Sequence, residues 1–126
     1  EAMSADTYHP VHYGEADKRL KENERLEAET EKLLSSVPEE MLPAFWELVY
    51  YPAMGSANAS DMQLYAGKNS FFAKMGAVCA NDYAEKIKAC IEKDRLLTER
   101  FHQLLDGKWD GMALSEHIGF VNWNDE

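Results

Sequence analysis

Residues 48–69 read LVYYPAMGSANASDMQLYAGKN, a helical pattern interrupted by Pro52 and then filled with small side chains: Ala53, Gly55, Ser56, Ala57, Ala59 and Ser60. A proline inside a helix removes one backbone hydrogen bond and clashes with the preceding turn, at a cost of about 3 kcal/mol unless the surroundings accept the kink. Small residues let backbones approach closely. The combination predicts a long helix, kinked or broken near Pro52, pressed against a neighbour and continuing through Met62, Tyr65, Phe71, Phe72 and Met75 until Gly76 stops it. Asn58 is the polar residue in the middle of that tight contact. It is a candidate for a binding site, against the plainer alternative of a core amide satisfied by nearby backbone.

The flanking segments supply the neighbours. From Gly14 to Ser35 good helix formers dominate, and Leu20, Asn23, Leu26, Thr30, Leu33 and Leu34 fall on one stripe at three- and four-residue steps. The charge run KENERLEAETEK within it reads as a solvated face with paired ions. Ser36-Val37-Pro38-Glu39 has the form of a capping box, and Pro43 soon after predicts one or two short helical pieces before the main run from Ala44. Downstream, Asn81 or Asp82 is expected to cap a third long helix. Its seam is Tyr83, Ile87, Cys90, Leu97, Phe101 and Leu104, with Asp94 in the one polar slot, and Gly107 ends it. Residues 1–13 read as an extended lead-in docking through Tyr8, Val11 and Tyr13, and residues 107–126 as an aromatic tail. Neither strand-like alternation nor an internal repeat competes, so the fold class is all-α: a bundle of three long helices, the middle one kinked or broken, in a single domain spanning 1–126.

Composition narrows the partners. Twenty-three acidic against 13 basic residues give a net charge of −10, a surface that repels phosphate backbones and anionic lipid, so neither nucleic acid nor membrane is an expected partner. Cys79 and Cys90, eleven positions apart, would stand about 16 Å apart on one helix, beyond disulfide reach, and read as free thiols. Localisation is not readable from the residues at the start of the chain.

Sites of chemistry are sparse. Glu99-Arg100-Phe101-His102 has the Glu-x-x-His spacing of di-iron bundles, but the second pair such a site needs is missing and the seam passes through Phe101, which favours solvated side chains. His9 and His12 resemble a chelating pair by spacing alone. No nucleophile elbow and no glycine-rich phosphate cradle occurs. No catalytic residue, metal site or cofactor is therefore assigned. In the tail, Trp109 with Met112, Ile118 with Phe120, and Trp123 surround His117, a glycine-flanked imidazole suited to lying beside a sugar-stacking face or, alternatively, to bonding a helix end. The candidate substrate-binding residues are His117, Trp109 and Asn58.

Three of these segments also carry a resemblance. TYHPVHYGEADK, the interrupted LVYYPAMGSANASDMQLYAGKN and the closing DGKWDGMALSEHIGFVNW, in order from about Asp6 to Trp123, resemble glycoside hydrolase family 115, α-glucuronidases acting on xylan. The family tends to read GKWNHMM before HIGY; here Asp110, Gly111 and Ala113 replace an amide, a ring and a sulfur side chain, while Trp109, His117, Ile118 and Gly119 are retained. The resemblance implies a helical bundle domain that follows a catalytic barrel-like domain and precedes a β-rich one. It further implies inverting release of glucuronic or 4-O-methylglucuronic acid from xylan, with both carboxylates in the preceding domain. On this reading the chain is excised from a larger, secreted or periplasmic multidomain glycoside hydrolase, is inactive alone, and buttresses its own chain's other domains. A homodimer contact is a further partner, and glucuronoxylan is reached through the parent enzyme. The rival expectation is a free-standing helical protein-interaction module.

Overall fold

The computed structural model describes residues 3–112. His117 and the rest of the tail, Ile118, Phe120 and Trp123 included, lie outside the described residues. Within them the chain is helical without a strand, and three long helices form the expected bundle: α1 (Glu15–Leu34), then α2 (Leu42–Phe45) leading into α3 (Tyr51–Lys74), then α4 (Ala80–Gln103). The middle helix α3 packs along both α1 and α4, its longer interface being with α4.

The irregularity lies immediately before Pro52. Trp46–Tyr50 form a π-helical turn between α2 and α3, in which the Tyr51 N–H donates to the Trp46 carbonyl five residues back. Dihedrals stay right-handed helical through the junction, with φ −60 and ψ −45 at Trp46 and φ −62 and ψ −48 at Tyr51. The wider turn shifts the carbonyl of Leu48, which in a regular α-helix would collide with the Pro52 ring. The helix therefore widens at the proline and does not break. Its buried side chains Trp46, Tyr50 and Met54 join Leu97 of α4 in the apolar core, with Leu34, Phe45, Tyr51 and Leu104 packed around them.

Gly76 stops α3 as its position suggested. At φ +67 it lets Ala77 N–H donate to the Phe72 carbonyl at 2.9 Å and its own N–H to that of Ala73 at 3.0 Å, satisfying carbonyls the helix end leaves open. Other boundaries differ from expectation. Cys79 occupies the N-terminal boundary of α4 with no side-chain cap, so Asn81 and Asp82 lie inside the first turn. The capping box does not form either. Ser36 Oγ donates backwards to the Leu33 carbonyl at 2.8 Å, and Ser35 Oγ to that of Lys32 at 2.7 Å, so the serines finish α1 and do not start α2.

The buried stripe of α1 is Ala16, Asn23 and Thr30, with Leu20, Glu27 and Leu34 half-buried between them, steps of four and three. Leu26 and Leu33, expected on the seam, are 42% and 53% exposed. Leu20, Asn23, Thr30 and Leu34 of the expected stripe do face the bundle, and Glu27 takes the place expected for Leu26. Polar contacts to α3, which apolar periodicity does not register, help to fix that face.

The lead-in also docks differently. Tyr13 has φ 60 and is 97% exposed, and Val11 is 46% exposed. Contact is made by the His9 ring edge-on to Phe71, centroids 5.7 Å apart, and by the Ala5 carbonyl, which lies 2.5 Å from where a Cβ on Gly67 would stand. Gly67 is required because backbone crosses α3 there.

Candidate functional site

A polar band runs across the middle of the bundle. Asn23 of α1 donates through Nδ2 to Ser60 Oγ at 2.9 Å and Asp61 Oδ1 at 2.8 Å on α3. Glu27 of α1 pairs with Lys93 of α4 at 2.7 Å, leaving its Oε1 without a hydrogen-bond partner. Asn58, 2% exposed, donates to the Cys90 carbonyl of α4 at 2.7 Å. Each pair of helices is thus tied by at least one hydrogen bond that only one register can make, the best-attested use of buried polar groups in helical assemblies.

Two open cavities flank this band and share Asp61 and Tyr65. The larger, about 580 Å³, is walled by Asp17, Lys21, Glu24 and Glu27 of α1. The smaller, about 260 Å³, is lined on the α4 side by Lys86, Ala89, Cys90 and Lys93. Lys86 Nζ lies over the Tyr65 ring, 5.2 Å from its centroid. Burial pushes the Asp61 carboxyl above its usual range, Asn23 partly opposing it and Glu27 adding to the rise. Burial and then Asp61 also raise the Tyr65 hydroxyl. The Cys90 thiol is pushed up to about 11, mostly by burial. Among the described residues no three His, Cys, Asp or Glu side chains converge as a metal-binding group.

Two predictions arise from these environments. Thiol labelling of the folded protein is expected to modify Cys79, which is exposed, within minutes while Cys90 stays unmodified until denaturant is added. Equal rates at the two cysteines would contradict the packing. Asp61 binds its proton more tightly in the fold than in the unfolded chain, so its contribution to stability is present at low pH and is lost as pH rises through the raised folded value. Asp61→Asn keeps an acceptor for Asn23 and removes that loss. In urea titrations between pH 4 and 8 the variant's advantage over wild type should grow with pH; a constant difference would argue against it.

Trp109 belongs to a different part of the molecule. It is half-buried and stacks on Phe101 at 5.5 Å and 15°, and Phe101 in turn stacks on Tyr51 at 4.5 Å and 18°. The chain reaches this position through a tight turn after α4, with Leu105, Asp106 and Gly107 all at positive φ. His102 Nε2 lies 2.6 Å from the Met112 carbonyl and Nδ1 3.7 Å from Asp110, while Glu99 pairs with Arg95. The two halves of the Glu-x-x-His spacing thus have separate partners.

Of the three candidate binding residues, Asn58 and Trp109 are not brought together. The first faces Cys90 and the second Phe101, eleven residues and about 16 Å further along α4. The amide of Asn58 is committed to backbone, and the indole of Trp109 to a ring stack. His117 lies outside the described residues. The sequence reading singled out Asn23 but missed Asp61, Glu27 and Lys93, whose charges look solvated until three helices are superposed. No described family and no curated protein shows a sequence match to the chain.

Proposed function

We propose that the chain is the non-catalytic helical domain of an α-glucuronidase-like glycoside hydrolase that removes (4-O-methyl)glucuronic acid from xylan, and that it buttresses the catalytic domain. The ordered likeness of the three segments motivates the reading. The observation that carries it is where the bundle leaves apolar side chains uncovered. Leu48 is 73% and Val49 39% exposed on the outside of the π turn, and Met75 and Val78, 67% and 85% exposed, bracket the turn at the far end of α3. Apolar spots at both ends of a helix about 36 Å long suit a strut held between other domains. Trp109 and His117 are the residues it would lend to a sugar cleft.

The test is release of uronic acid from glucuronoxylan by the protein as its gene encodes it, comparing wild type with Trp109→Ala and His117→Ala and with Leu48→Glu on the strut face. Uronic acid release that falls for Leu48→Glu, with the bundle itself equally stable, supports the buttress. A gene product with no hydrolase activity and no further domain overturns it in favour of a free-standing interaction module.

A further inference from the structure

The His9 imidazole has no part in the reading above, yet its geometry is specific. Its Nδ1 accepts two backbone N–H groups at once, from Val11 at 3.1 Å and from His12 at 2.8 Å, at the start of the short helical turn His12–Gly14. The His9 N–H donates to Glu15 Oε2 at 2.9 Å, and its ring meets Phe71 of α3 edge-on. One ring nitrogen therefore fastens the lead-in's last turn while the same ring anchors it to the bundle. Both amide bonds need a bare lone pair, which fixes the proton of the neutral ring on Nε2.

We propose that His9 is a pH-sensitive latch, its neutral Nδ1 holding the Val11 and His12 amides and so the lead-in across Gly67 and Phe71, and its protonation releasing that segment. A proton on Nδ1 would face two N–H groups with no acceptor between them, so the bonded turn and the imidazolium exclude each other. Around the ring stand the Glu15 carboxylate, which accepts the His9 backbone N–H, and the His12 ring, centroid 4.2 Å away. On α3 the contacting side chain is the apolar Phe71, with Lys68, paired to Asp17, three residues before it and the exposed Lys74 three after. Release would uncover the Gly67 crossing, where the Ala5 carbonyl now lies against bare Cα.

The test follows the His9 Cε1–H and the Val11 and His12 amides by NMR from pH 8 to 5.5, above the carboxylate range, in wild type, His9→Asn and His9→Ala. An asparagine oxygen can take the two N–H groups in an Asx-like turn but does not titrate. Expected are amide shifts in wild type that share the midpoint of the His9 ring, with exchange protection at the two amides falling about five-fold or more. His9→Asn should stay protected at every pH and His9→Ala unprotected at every pH. Amides that hold steady while the His9 ring titrates, or a ring that does not titrate in this range, would overturn the latch.

Discussion

Phe101→Ala is expected to lower the unfolding free energy by about 3–5 kcal/mol, the usual cost of removing a buried aromatic ring. Phe101 is 4% exposed and is the middle ring of three, between Tyr51 and Trp109. Its removal leaves a cavity inside the α3–α4 interface and takes away the platform on which Trp109 rests. Two signals should therefore change together: the denaturation midpoint falls, and Trp109 becomes more accessible to a collisional quencher. Reading the second needs Trp46 and Trp123 replaced by phenylalanine in both the parent and the variant, since the chain has 3 tryptophans. A loss of stability under about 1 kcal/mol would show that the stack carries little of the packing.

Asn58→Asp is expected to have a comparable effect for an electrostatic reason. The two side chains have nearly the same shape, so packing is preserved while the donor to the Cys90 carbonyl is replaced by an anion facing that carbonyl, close to Asp61. An unpaired buried charge of this kind costs on the order of 3–5 kcal/mol. The introduced acid would hold its proton more tightly in the fold than in the unfolded chain. The penalty is then full at neutral pH and shrinks as pH falls through the folded value, where the protonated acid can donate to Cys90 again. Denaturation at pH 7.5 and pH 5 checks this, and a deficit that does not narrow at pH 5 would contradict it. Asn58→Ala, which creates no charge, should cost less, about 2–3 kcal/mol, at both pH values.

Much of the architecture could be read from spacing because α4 presents a single unambiguous seam and Gly76 marks where α3 gives way, although α4 ends at Gln103, four residues before the expected stop at Gly107. Side chains at Cys90, Leu97 and Phe101 are buried as that seam requires. On α1 spacing put Leu20, Asn23, Thr30 and Leu34 on the inner face but was insufficient for Leu26 and Leu33, which are exposed. Asn23 and Thr30 are held inside by hydrogen bonds, the amide to Ser60 and Asp61 and the Thr30 hydroxyl to the Leu26 carbonyl. Hydrogen bonds between helices depend on which helices meet, and periodicity within one helix says nothing of that. Capping fared similarly: Ser36 has the right neighbours for a box, yet a serine oxygen can as readily close the helix behind it as open the one ahead. The polar band was the least legible part. Asp61, Glu27 and Lys93 lie on three different segments, and only the assembled fold makes them neighbours.

The wide turn at Trp46–Tyr50 ties the length of this protein to its chemistry. An α-helix that takes in one surplus residue as a bulge keeps the segments on either side in rotational phase, so Leu48, outward-facing there, acts as slack let into the chain to clear the pyrrolidine ring at Pro52. Slack and obstruction form a matched pair. Removing the ring alone leaves a loose coil with nothing to accommodate, and deleting Leu48 alone restores the collision. Only the double change, Pro52→Ala with Leu48 deleted, should give an uninterrupted rod with both flanks still facing the core.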